Sequence, residues 1–378
     1  MVGRVAIGWA FVVSSVLLFF VFLAVLFVGG SGSLGAQGTE SEEAADSGGD
    51  RQETQGPEAQ GGEEGRGSGE EPSEPEAVGA DESGMVMVLE YHRVGGDPGL
   101  APDWTISPED FRAQLELLHE NDYYPINLRD LLDNRVDVPA GKTPVVLTFD
   151  DSSDTQFTMV QDGEGWVPDP DGAVGILQQF HEENPDWPMS ATFFVLPEAD
   201  PPNDLFGQPE LAGEKLEFLV ENGMEVGNHT LYHANLAQSA PEEVQRQLAL
   251  ANAEIQSHLP DYEVVSLSPP FGEYPQDMSL IRSGSWEGED YEMQGAVEVA
   301  GGATVPPGHR QFDPYRIPRI QAEPHKGHLA ELLAHFEANP EDRYVSDGDP
   351  ETVTVPEENR DQIDGDALRQ SDTELRAY

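Results

Sequence analysis

The chain has 378 residues, enough for one large domain or two small ones with a sizeable core. It contains no cysteine, which excludes disulfides, thiolate metal sites and thiol catalysis, so any metal must be held by histidine and carboxylate. Its 72 acidic residues against 19 lysines and arginines give a formal net charge of −53, which argues against nucleic acid as a partner.

Residues 5–28 carry no charge and form an aliphatic and aromatic run long enough to span a bilayer as a helix. The run exceeds the apolar core of a cleavable signal peptide. Residues 1–28 are therefore expected to be an uncleaved membrane anchor, with secretion as the outcome if the segment is cut near Ala36. Arg4 on the short side places the remainder outside the cell. Residues 29–84 are rich in Gly, Ser, Glu, Gln and Pro and cannot bury enough apolar surface to offset chain entropy. They read as a disordered acidic linker, extended by its own repulsion.

Residues 31–84 hold 15 acids against 2 arginines, and residues 85–378 hold 57 acids against 16 bases. Most of the charge therefore belongs to the folded part, whose lysines are only Lys142, Lys215 and Lys326. Such a surface opposes compaction in dilute buffer, and we expect a protein suited to high salt, where the repulsion is screened.

Order is expected from Met85, where Met85–Leu89 reads as a buried strand running into Glu90, Tyr91 and His92. Ser107-Pro108-Glu109-Asp110 has helix-start chemistry, followed by Phe111, Leu115 and Leu118 on one face. Pro144–Phe149 is a second buried strand and ends on Asp150 and Asp151. A strand near Ala191–Leu196, a helix near Lys215–Asn222 and a short strand at Glu225–Gly227 continue the alternation. Ser239-Ala240-Pro241-Glu242 repeats the cap chemistry before Val244, Leu248 and Ile255, and Glu263–Ser268 reads as another strand. Residues 154–173 and 283–312 look like surface insertions. Leu329, Leu332, Leu333 and Phe336 mark a last helix, Thr352–Val355 a short strand, and 361–378 a charged tail. Strands alternating with helices imply a mainly parallel sheet or barrel, with sites at the carboxyl ends of the strands.

His229 and His233, four residues apart, would face one side of a helical turn and could share a cation. Asp150 and Asp151 would point to opposite faces if their strand continued, and so differ in role. A cation acidifies water, and a nearby carboxylate can take the proton as the water attacks a carbonyl. That describes hydrolysis of an amide or ester.

Thr148-Phe149-Asp150-Asp151 and Glu225-Val226-Gly227-Asn228-His229-Thr230-Leu231-Tyr232-His233 resemble the first two motifs of the polysaccharide deacetylases, the NodB-homology or carbohydrate esterase family 4 domain. The likeness runs from about Val86 to Phe271. It implies a distorted (β/α) barrel over residues 85–360, one divalent metal, commonly zinc, and removal of acetyl groups from an N-acetylated amino-sugar polymer. It further implies Asp151, His229 and His233 as metal ligands, Asp150 as the base and Thr230 as a support. The third motif departs from the family. Ser268-Pro269-Pro270-Phe271-Gly272 has serine where the family has an arginine that orients the base. Phe271 retains a backbone N–H for the oxyanion. Asp313-Pro314-Tyr315-Arg316-Ile317-Pro318-Arg319-Ile320 resembles a segment of a divergent branch, in which Arg316 or Arg319 would stand in. The closing Leu-x-His motif, source of the general acid, has no match; His309, His325, His328 and His335 are the candidates, with His92 as a pocket-lining alternative. Beside the hydrolase stands a second reading, a catalytically degenerate carbohydrate-binding protein on the same fold, and a third, a hydrolase of small amides or esters.

Overall fold

The structure, a computed structural model, describes residues 74–163 and 165–378. The anchor expected at 1–28 and most of the linker expected at 29–84 lie outside the described residues. Among the described residues no helix is long and apolar enough to cross a membrane.

Seven parallel strands close into a barrel: β1 (Met87–Tyr91), β3 (Thr143–Phe149), β4 (Thr192–Val195), β5 (Glu225–Asn228), β6 (Ser266–Leu267), β7 (Gly295–Gly301) and β8 (Ile317–Gln321). The ring closes because β1 pairs on one side with β3, from Met87↔Val145 to Tyr91↔Phe149, and on the other with β8 at Leu89↔Ile320. An extra strand, β2 (Tyr123–Ile126), pairs with the first half of β3, and β4 takes the end of the same edge.

Alternation along each strand sorts its side chains between two layers. Met87, Leu89, Tyr91, Val145, Leu147, Phe149 and Phe193 belong to the large core that also includes Phe111, Leu115 and Leu118 of α1 (Pro108–Glu120). The intervening positions point inward, where Val86, Val88, Val146, Phe194, Val297 and Ile317 fill the lower barrel. One step further along the same faces the residues turn polar: Glu90 after Val88, Thr148 and Asp150 after Val146, Arg319 after Ile317. The barrel is thus dry at its base and charged at its carboxyl end.

Local chemistry sets the surrounding helices. Ser107 caps α1 by accepting a hydrogen bond from the Asp110 N–H at 3.0 Å. The 18-residue helix α2 (Pro241–His258) starts with proline after Ala240, without a side-chain cap. Gly227 on β5 is required by space, since a Cβ there would sit 2.6 Å from the Phe194 ring and 2.7 Å from Ser266 Oγ.

Three boundaries differ from the sequence reading. Residues 80–84, assigned there to the linker, are packed: the Asp81 and Glu82 N–H groups donate to the carbonyls of Val345 and Thr354, both at 2.9 Å. Buried Glu82 accepts from the Tyr344 hydroxyl at 3.0 Å and the Thr354 N–H at 2.7 Å. Residues 361–378 are not a solvated tail. Glu374–Ala377 pairs in parallel with Thr352–Val355, and Val353, Val355, Ile363 and Leu368 form a small core between them. Segment 283–312, read as an insertion, holds a hairpin (Ser283–Trp286 with Glu289–Glu292) and then β7, a full barrel strand. Its glycines at 295, 301 and 302 and its acids hid the pattern.

Because the last strand covers Val353 and Val355, deleting residues 361–378 should lower the thermal midpoint by about 5 °C or more in a calorimetric scan in high salt. An unchanged midpoint would mean that the segment contributes no packing.

Candidate active site

The carboxyl ends of the strands surround a cavity of about 540 Å³ onto which Glu90, His92, Asp150, Asp151, His229, His233 and Phe271 all open. Strand β3 stops at Phe149, and the chain then turns through left-handed conformations at Asp151 (φ 77°) and Ser152 (φ 42°). This turn, rather than continuing strand alternation, separates the two aspartates. Asp150 drops into the barrel while Asp151 stays at the mouth.

His229 and His233 lie on a loop, not a helix, with left-handed residues at Thr230 (φ 70°) and His233 (φ 65°). Side chains shape that loop in place of helical hydrogen bonds. Asn228 Oδ1 accepts from the Thr230 N–H at 2.6 Å, Gln247 Oε1 from the Leu231 N–H at 3.1 Å, and the Thr230 hydroxyl from the Ala234 N–H at 3.1 Å. The result brings both imidazoles to one carboxylate oxygen: Asp151 Oδ1 lies 3.2 Å from His229 Nε2 and 3.3 Å from His233 Nε2.

This donor set suits a divalent cation. Among the described residues Asp151, His229 and His233 form one of two clusters compact enough for metal binding, the other being Glu90, His92 and Asp150. His229 Nδ1 is 2.6 Å from the Ser268 carbonyl, which can only accept, so Nδ1 carries a proton and Nε2 is the ring nitrogen turned toward Asp151. In the second cluster both Asp150 oxygens are already engaged by an arginine, which opposes a cation there.

That arginine is Arg319. Its Nη1 donates to Asp150 Oδ1 at 2.8 Å and Thr148 Oγ1 at 3.0 Å, and its Nη2 to Asp150 Oδ2 at 2.7 Å and Glu90 Oε1 at 3.0 Å. Nε donates to the Glu298 carbonyl at 2.6 Å, so all five guanidinium donors are used. Ser268 joins at the same carboxylate oxygen, its hydroxyl donating to Asp150 Oδ2 at 2.8 Å and accepting from Arg319 Nη2 at 3.2 Å. Of the two arginines expected to replace the missing one, Arg319 reaches the aspartate. Arg316 does not: it is 46% exposed and pairs with Glu298 at 2.9 Å. The two residues are three apart across the start of β8, so alternation sends only one inward.

These contacts set the charges. Burial by itself would raise the Asp150 carboxyl, but the Arg319 charge and hydrogen bonds, with His229 beside it, hold it well below the ordinary carboxylate range. Asp151 is likewise held low against its burial by hydrogen bonds to His229 and His233. Glu90 goes the other way: burial pushes it up to about 8 despite Arg319. His92 is lowered by burial, which outweighs the nearby aspartates. Glu90, Ser268 and Thr148 were not assigned to this network from sequence. The inward alternation on β1 and β3 was the available signal for Glu90 and Thr148.

Phe271 sits in the turn Pro270–Gly272 with φ 64° and ψ 7°, an unusual conformation for a bulky residue. The Gly272 and Glu273 amides bond back to Pro269 and Pro270, leaving the Phe271 amide outside the turn's own hydrogen bonds. Its ring packs edge-on against His233, with centroids 4.5 Å apart.

A family model described as polysaccharide deacetylase matches residues 137–283, which include Asp150, Asp151, His229, His233 and Phe271 but neither Glu90 nor Arg319. Over this segment, and in these motifs, the chain is similar to the polysaccharide deacetylases. A peptidoglycan-N-acetylglucosamine deacetylase from Bacillus cereus is 26% identical over 166 residues, covering 44% of this chain and 50% of the relative. A chitooligosaccharide deacetylase from a Bradyrhizobium species is 30% identical over 139 residues, covering 37% of this chain and 51% of the relative. The chain thus spans about half the length of the curated relatives it matches. A solved structure of a polysaccharide deacetylase from Bacillus cereus superposes with a TM-score of 0.48 at 18% identity, covering 66% of this chain and 68% of that one.

Two outcomes follow. His229→Ala and His233→Ala should each abolish stoichiometric zinc binding measured by titration calorimetry; full occupancy in either would remove that histidine from the site. Arg319→Ala should destabilise the fold by about 3 kcal/mol or more in denaturant titrations, since it strands buried carboxylates, while Arg316→Ala should stay within about 0.5 kcal/mol. Equal effects would contradict the assignment of Arg319 as the buried partner.

Proposed function

We propose that this chain hydrolyses the N-acetyl groups of an acetylated amino-sugar polymer with the help of one divalent cation, zinc in the first instance. The observation that carries the proposal is the pairing, in one cavity, of a two-histidine, one-carboxylate donor set with a separate aspartate fixed by an arginine. Asp151, His229 and His233 would hold the ion. It would supply Lewis acidity toward the acetyl carbonyl and acidify water.

The protein's own groups supply the remainder. Asp150 is kept ionised and aimed by Arg319 and Ser268, and it takes the proton of the attacking water. A carboxylate held so acidic is a weak base, so it works only on water already made acidic within the site. The Phe271 amide is the donor to the developing oxyanion. His92 relays a proton to the departing amine nitrogen as the acetyl C–N bond breaks, passing it on readily because burial disfavours its charged form. His92 opens on the cavity, its Nδ1 is buried without a partner, and its ring packs on Trp104 with centroids 4.5 Å apart. His309, His325, His328 and His335 are absent from the cavity lining, and His335 is bound to Asp342 at 2.7 Å.

The place of action belongs to the same proposal. The apolar run at residues 5–28 supports a membrane tether with the barrel outside the cell, and the acidic, lysine-poor composition supports a high-salt setting.

Acetate release from N-acetylglucosamine oligomers in high salt tests the reading. Release should stop with a chelator and return with zinc, and Asp150→Asn should lower kcat by about 10²-fold or more with zinc still bound. Oligomer binding with no release by the wild-type protein would leave a carbohydrate-binding protein on this fold.

A further inference from the structure

The polar groups of the cavity account for the acetyl group; its rim is of another kind. Leu100, Ala101, Trp104, Pro202, Phe271 and Val299 line the same cavity as the histidines. Two of these are large apolar side chains left in water: Leu100 is 71% exposed and Phe271 61%. A lone exposed leucine carries no message, but two large apolar groups on the rim of one polar cavity do.

Both are held in place. The loop bearing Leu100 is closed at its base, where Arg93–Val94 pairs with Thr105–Ile106. Its tip is turned by the Gly99 N–H donating to Asp97 Oδ1 at 2.9 Å and the Leu100 N–H to the Asp97 carbonyl at 3.1 Å. Trp104 anchors the loop from beneath, covered by the Lys326 ammonium 3.8 Å from the ring centroid and by His92. Phe271 keeps its left-handed backbone, a conformation that costs free energy and that fixes an aromatic ring at the cavity mouth. Arg93 lines the same cavity with a buried Nε that has no hydrogen-bond partner, while its Nη2 lies 3.6 Å from Asp154 Oδ1.

We propose that Leu100 and Phe271 form an apolar clamp that grips the C–H face of a pyranose ring at the cavity mouth, with Arg93 donating to its hydroxyl oxygens. This inference rests on the deacetylase reading and deepens it: the substrate is recognised as a sugar ring and not as an acetyl group alone. An apolar face ringed by hydroxyls is the chemistry that two exposed apolar side chains and an unpartnered guanidinium N–H complement. The cavity is continuous with the metal-donor cluster, so the clamped ring and the acetyl group belong to one ligand.

The test measures binding without turnover, using zinc-loaded protein carrying Asp150→Asn. An N-acetylglucosamine tetramer should bind saturably by titration calorimetry. Adding Leu100→Ala should weaken it about tenfold, the effect of losing roughly half a leucine's burial, and Leu100→Met should restore most of the affinity. Acetate, which reaches only the metal end, should bind all three proteins alike. Equal tetramer affinity with and without Leu100, or no saturable tetramer binding at all, would overturn the clamp. Failure of the wild-type protein to release acetate from a tetramer it binds would instead overturn the catalytic reading.

Discussion

Arg319 and Asp150 meet inside the barrel with neither side chain open to solvent, at 2.7 and 2.8 Å. Two charges taken out of water lose more in hydration than their attraction returns unless other groups complete their hydrogen bonds. Here they do: Thr148, Glu90 and the Glu298 carbonyl satisfy the guanidinium, and Ser268 satisfies the carboxylate. Those partners come from β1, β3 and β7 and from the loop after β6, and Arg319 itself from β8, so the ion pair ties together the strands on which the barrel closes. The upper barrel is built around it.

The same pair separates the duties of two adjacent aspartates. With Asp150 committed inward to an arginine, Asp151 is free to face His229 and His233, and the left-handed turn at residues 151 and 152 makes the division geometric. Ser268 links the two halves, its hydroxyl on Asp150 and its carbonyl fixing the His229 tautomer. The position where the deacetylases this chain resembles carry an arginine is thus occupied by a residue that hydrogen-bonds to both Asp150 and the His229 imidazole. Glu90 also contacts Arg319, a buried acid that burial pushes up to about 8.

Much of this was legible in the sequence where local chemistry and long-range placement agree. Ser107 announced α1, the apolar run before Asp150 announced β3, and the ordered Asp-Asp and His-x-x-x-His motifs located the donor cluster. The failures have physical causes. The two histidines are joined by a loop held by Asn228, Thr230 and Gln247, and a spacing of four residues reads as helix because it cannot reveal side-chain bonds to the backbone. Segment 283–312 concealed β7 because its glycines lack the apolar side chains that mark a strand; at Gly295 packing demands this, since a Cβ would meet the Leu132 side chain at 2.3 Å. The choice between Arg316 and Arg319 needed the register of β8, which no local pattern sets. Residues 361–378 looked like a tail because their charge is on the outside of a two-stranded sheet whose inner face carries few apolar residues.

The position of a bound cation decides the roles of these residues. Anomalous scattering at the zinc edge from crystals of the zinc-loaded protein locates it without reference to activity. A single peak is expected about 2.0–2.2 Å from an Asp151 oxygen, His229 Nε2 and His233 Nε2, with Arg319 still on Asp150. A peak among Glu90, His92 and Asp150, with Arg319 displaced, would contradict that assignment.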